Sequence, residues 1–220
     1  MPTRSKSNVL LTIRQAFRAM GSTHDPLQKL GAGKVYEAWT LVHVLEQLKK
    51  RERVTVAVKG GHALRFRASH GPTSQQFTHF VCTNTRVSFG IWTDIEVLTL
   101  SHGARANPKA RPVAGDKHEL DIVALRQSSF GYPEPHEVLW GIECKHTAFT
   151  KAFHRSMLGV RRELSLAAGP HPTPFRTYPV NTVNSSPPSV LTAFSTDPNV
   201  ARYSRSGAHW DIGYEHLPMP

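Results

Sequence analysis

Two short apolar segments each carry an acid near one end. The first is His118-Glu119-Leu120-Asp121-Ile122-Val123-Ala124-Leu125. The second, Val138-Leu139-Trp140-Gly141-Ile142-Glu143-Cys144-Lys145, closes on Glu-x-Lys, with Glu143 22 positions after Asp121. Both read as buried strands. Side chains alternate along a strand, so Glu143 and Lys145 share one face and Cys144 takes the other. Two carboxylates and an ammonium at neighbouring strand ends can hold a divalent cation beside a scissile phosphate. Mg²⁺ prefers oxygen ligands, which Asp121, Glu143 and the main-chain carbonyl of Cys144 would supply. A cation so held activates water, and Lys145 is placed to position or deprotonate that water, or to neutralise developing charge. The structural alternative is a sheet-edge aspartate beside a Glu143–Lys145 surface ion pair, which would contribute little. Glu119, two residues before Asp121, is either a supporting acid or simply solvated.

The elements that would position this set follow from periodicity. Residues 8–20 form a short amphipathic helix, with Val9, Ile13, Ala16, Phe17 and Met20 at helical spacing. A Gly/Ser/Pro loop, 21–33, leads into a strong helix over 34–51. Val35, Ala38, Trp39, Val42 and Leu45 make one stripe and Leu41, Val44 and Leu48 its neighbour, so this helix is packed in a core. Glu37 stands at its N-terminal end, where a carboxylate beside apolar residues calls for a partner; capping or a salt bridge is the alternative. Residues 54–58, 62–68, 77–83 and 86–100 read as strands, with turns at Gly60-Gly61 and Gly71-Pro72. A basic, mobile loop over 101–116 precedes the two acid-bearing strands. A helix is expected over 147–168, ended by Gly169-Pro170, then an irregular 169–188, a buried strand over 189–196 and a last element near 209–214. Helix, strands, helix, strand is the order of a mixed α/β domain with a central sheet.

Composition narrows the partners. The 220 residues suffice for one large domain, and 39% apolar content supports a packed core. A formal charge of +11 favours a polyanion, nucleic acid before membrane. Arg105, Lys109 and Arg111 on the basic loop, and Lys151, Arg155, Arg161 and Arg162 on the helix after Lys145, are the candidate DNA contacts; an ordinary solvated helix face is the alternative. The 13 histidines show no zinc spacing. Cys82 and Cys144, far apart in apolar surroundings, read as reduced thiols of a cytoplasmic protein. No apolar run approaches a membrane span, and no secretory leader is evident. Gly31-Ala32-Gly33-Lys34 lacks both the spacing and the preceding strand of a phosphate loop.

Asp121, a spacer with a turn, then Glu143-Cys144-Lys145 closing an apolar strand before a helix resembles the PD-(D/E)xK phosphodiesterases, the superfamily of many restriction endonucleases and Holliday-junction resolvases. The resemblance spans about residues 34–196. It implies a restriction-endonuclease-like core, a central mixed β-sheet flanked by helices, over residues 34–200, with an N-terminal helix and loop (1–33) and a C-terminal tail (201–220) packed on it. Glu37 matches the family's acid on a preceding helix. Lys151, His154 or Arg155 would supply its basic or polar residue after the lysine. Leu120 replaces the proline of the namesake motif. The expected activity is Mg²⁺-dependent DNA cleavage, with Mn²⁺ as substitute, leaving a 5′-phosphate. Specificity would come from DNA structure, a homodimer or a partner protein, in prokaryotic defence, mobile-element biology or repair. The rival readings are a non-catalytic nucleic-acid-binding protein and an RNA-directed nuclease of the same fold.

Overall fold

The computed structural model describes residues 6–20, 31–60, 69–105, 107, 111–127 and 129–219. The expected strand over 62–68 lies outside them. Helix α1 (Lys6–Ala19) buries Val9, Ile13 and Phe17. Helix α2 (Ala32–Gln47) runs on as a wider turn through Glu52. Its two apolar stripes are buried apart from the half-exposed Trp39, as an all-round apolar helix must be.

Seven strands form one sheet. β1 (Thr55–Lys59), β2 (His79–Thr83), β3 (Ser88–Leu98), β4 (Lys117–Arg126) and β5 (Val138–Lys145) are neighbours in chain order and antiparallel. Helix α3 (Leu100–Gly103) follows β3, and helix α4 (Lys151–Leu164) follows β5. The chain then returns as β8 (Val190–Ser195) and β9 (Ile212–His216), both parallel to β5. The sheet is therefore mixed and flanked by helices, an α/β fold. α1 and α2 cover one face, with Leu41, Leu45, Phe89, Trp140 and Phe194 in their core. α4 covers the other, through Met157, Val160 and Leu164 against Leu125, Val138 and Leu191.

Two stretches differ from the sequence expectation. The helix after Lys145 stops at Leu164, and Leu166–Pro172 (β6) pairs with Thr182–Ser186 (β7) as a separate two-stranded sheet inside the expected irregular region. Pairing outweighs the helix propensity of Leu166, Ala167 and Ala168. Gly169 and Pro170 lie where the register shifts between Ala167 and His171, a place that tolerates a residue without an N–H. The described ends of the basic loop are pinned as well. The buried Asp116 accepts the Val113 N–H at 2.7 Å and pairs with Arg105. A short helix, α5 (Ser204–Ala208), precedes β9.

Candidate active site

Asp121 and Glu143 meet because of register. β4 and β5 pair Ile122 with Ile142, so the next position sets Asp121 against Glu143. On the other side, Thr93 pairs with Ile122 and Ile95 with Leu120, which sets Asp94 against Asp121. Three carboxylates thus lie in one row across β3, β4 and β5.

At that row two strands rotate. Phe89 and Ile91 pack on the α2 side of the sheet, yet Ile95 and Val97, of the same parity, pack on the α4 side. β4 does the same: Ile122 and Ala124 face α2 and Leu120 faces α4. A one-residue slip exchanges faces, and here Asp94 provides it with a φ of 56°. Aspartate visits this left-handed region more readily than most residues, and its persistence inside a long strand marks a point that the surroundings enforce. The rotation frees the Asp94 carbonyl for Gly71, whose N–H reaches it at 3.2 Å, while the Glu96 N–H donates to the Gly71 carbonyl at 3.0 Å. This clamp delivers His70 to the row. His70 Nε2 stands 3.6 Å from the Asp94 carboxylate and Nδ1 stands 3.0 Å from Glu119. One donor atom each of His70, Asp94 and Asp121 lie within 4.8 Å of one another.

Helix α2 adds Glu37 and Lys34, three residues apart on one face. The Lys34 ammonium donates to Glu37 at 2.6 Å and to Asp94. Asp121 Oδ2 accepts the Cys144 N–H at 2.7 Å. In a strand the N–H and C=O of one residue leave from the same edge, so the Cys144 carbonyl also faces the Asp121 side. The Cys144 side chain packs against the α2 core.

The electrostatics follow from crowding. Burial, then the charges of Asp121, Glu37 and Glu119, hold Glu143 well above the usual carboxylate range. Burial raises Asp121 too, and Asp94 adds to it, against the Cys144 N–H and Lys34, which favour ionisation. Glu37 is pushed up to about 7 by burial and then by Asp121, with Lys34 opposing. Burial disfavours the Lys34 ammonium, but its bonds to Asp94 and Glu37 prevail and raise its pKa. Buried carboxylates that mutually resist ionisation make this cluster a candidate cation site. The donor set is oxygen-rich with one imidazole alongside, which suits Mg²⁺ and also Mn²⁺.

Of the residues named from sequence, Glu37, Asp121 and Glu143 converge here. Lys145 follows on the strand of Glu143, its ammonium 5.2 Å from the Phe153 ring centre. Among the described residues no carboxylate pairs with it, so it is not half of a surface ion pair. Asp94, His70 and Lys34 were not singled out. An aspartate in the middle of the mostly apolar run Ile91-Trp92-Thr93-Asp94-Ile95-Glu96-Val97 was the available signal. Glu119 is exposed and held by His70.

The basic candidates divide. Lys151 and Arg155 are exposed near the start of α4, Arg111 is exposed, and Arg105 is tied to Asp116. Lys109 lies outside the described residues. Arg161 is a correction: it is buried, donating to the Ser189 carbonyl and Oγ at 2.8 Å each, so it is no surface contact for DNA. Arg162 is exposed but lies roughly 16 Å along α4 from Lys151 at 1.5 Å per residue. His154 is also buried, 2.7 Å from the Tyr214 hydroxyl, and does not face the acids.

No family model matches the chain, and no curated protein matches it. Among solved structures, P. aeruginosa NucC in its cAAA-bound form is similar over 96% of this chain and 75% of that chain, at 12% identity and a TM-score of 0.33. A likeness this slight carries no argument, and the reading of the site stands on its own residues.

Proposed function

We propose that the chain is a divalent-cation-dependent endonuclease of DNA, built on the PD-(D/E)xK pattern. The observation that supports it is the row of Asp94, Asp121 and Glu143 across three adjacent strands, with Lys145 two residues beyond Glu143. Asp121, Glu143 and the Cys144 carbonyl would hold Mg²⁺ or Mn²⁺, with Asp94 and His70 beside them and Glu37 closing the α2 side. A divalent cation bound there would polarise a phosphoryl oxygen and acidify a coordinated water.

The chain's own residues do the rest. Asp121 is fixed by the Cys144 N–H, so it offers its remaining oxygen in a set direction. Lys145, with no carboxylate partner among the described residues, would orient the attacking water, take its proton or neutralise the phosphate. Lys34 offsets part of the acid charge while no cation is bound. Lys151, Arg155 and Arg111 would grip the phosphate backbone without reading bases. Cleavage would leave a 5′-phosphate. Sequence or structure preference would come from a homodimer, a partner protein or DNA shape, and a role in defence, mobile-element biology or repair suits such an enzyme. Among the described residues no helix is long and apolar enough to cross a membrane.

Matched end-labelled DNA and RNA oligonucleotides, single- and double-stranded, incubated with Mg²⁺, Mn²⁺ or EDTA, test this reading. Cation-dependent cleavage of DNA supports it. Cleavage confined to RNA replaces the substrate. Salt-sensitive binding with no cleavage of either makes the chain a binding protein.

A further inference from the structure

At the opposite end of the parallel strands from the acids lies a cavity of about 410 Å³, between the end of α4, the β6–β7 ribbon and the segment before β9. Its walls include Arg161, Arg162, Ser165, Leu166, Trp210 and Asp211. Arg161 is only 4% exposed. Its guanidinium bonds to neutral groups alone, the Ser189 carbonyl and the hydroxyls of Ser189 and Ser185. Among the described residues its Nε has no hydrogen-bond partner, and neither has the buried Ser165 hydroxyl. Burial lowers the guanidinium to about 10, with Asp211 the one charge that opposes this. Asp211 closes no ion pair on it within 4 Å; its carboxylate accepts the Asn184 N–H at 2.6 Å and the Asn184 side-chain N–H at 3.4 Å.

A buried cation without a counter-charge in contact is costly, as is a buried hydroxyl without an acceptor. Both needs are met by one anion entering the cavity, where the exposed Arg162 adds a second cation. Beside this polar corner stand two apolar side chains left open to solvent, Trp210 at 44% and Leu166 at 60%. They would cover the flat face of a ligand.

We propose that this cavity binds an organic anion, a phosphate or carboxylate head on a flat apolar body, with the head on Arg161, Arg162 and Ser165 and the body on Trp210 and Leu166. The site is independent of the acidic row and of the nuclease reading.

Isothermal titration of the full chain with phenyl phosphate, benzoate, inorganic phosphate and phenol at fixed ionic strength tests it. One of the two organic anions should bind saturably at one site, about tenfold or more tighter than inorganic phosphate or phenol. The tighter of the two identifies the head group. Arg162→Gln and Trp210→Ala, both at exposed positions, should each weaken binding by about tenfold with thermal unfolding unchanged. Arg86→Gln, in the β2–β3 turn, should leave it intact. Absence of saturable binding by either organic anion overturns the proposal, as does binding that survives both cavity substitutions or is matched by inorganic phosphate.

Discussion

At the Lys145–Ser195–His216 end of the parallel strands, Glu37, Asp94, Asp121 and Glu143 crowd together, with the Lys34 ammonium bonded to Glu37 and Asp94. At the end where Leu191 meets Ile212, one guanidinium is buried among hydroxyls and a carbonyl. The two regions carry opposite electrostatic deficits on one scaffold. The acids resist their own ionisation, and the arginine lacks an anion. A core built for stability alone would neutralise such groups or replace them with apolar ones. On the two proposals made above, these deficits of opposite sign would be met by opposite ligands, a cation at one end and an anion at the other.

The acidic end should break first. Asp121→Asn keeps an acceptor for the Cys144 N–H but removes a charge, so cleavage should fall about 10³-fold or more while the cation-free protein melts higher. Unchanged cleavage would dissolve the site assignment. Lys145→Ala should lower turnover about 10²-fold yet leave cation affinity intact, since Lys145 is not among the ligands. Loss of both in parallel would instead assign it to the fold.

The arginine end should respond in stability. Arg161→Ala leaves the Ser189 carbonyl and hydroxyl without their donor and should cost about 2 kcal/mol in urea unfolding, with no change in the salt dependence of DNA binding. Lys151→Ala and Arg155→Ala should do the reverse, each reducing the slope of log K against log salt by about 0.9 without loss of stability.

A pH series separates the two ends more finely. Glu37 has a folded pKa of about 7 against an ordinary 4.5, so between those values the folded chain holds the extra proton and stability falls as pH rises. Glu37→Gln removes that loss. Its stability relative to the parent should be about 2 kcal/mol more favourable near pH 8 than near pH 5, before cation is added. A flat difference would mean that Glu37 titrates as an ordinary carboxylate.

Much of this arrangement was legible in the sequence. β4 and β5 announce themselves as apolar runs with acid at one end, and α2 as a helix apolar on two stripes. Glu37, Asp121 and Glu143 followed from those. Asp94 did not, because a regular strand places it by alternation, and the rotation at its positive φ is a tertiary event. His70 depends on the same rotation, through the Gly71 clamp. Arg161 reads as a surface residue beside Arg162, and only the packing of α4 on the Ser189 turn buries it. Ser165–Pro172 looked like a helix end and an irregular run because its pairing partner, Thr182–Ser186, is a polar segment with no strand signal of its own.

The most direct test of the nuclease reading is relaxation and linearisation of supercoiled plasmid by the wild-type chain and by Asp121→Asn and Lys145→Ala, with Mg²⁺ or EDTA and with cation binding measured on the same preparations. Nicking that needs Mg²⁺, is lost in both variants, and coincides with cation binding lost only in Asp121→Asn is the predicted result. Nicking in EDTA, or in Asp121→Asn at the wild-type rate, would contradict it.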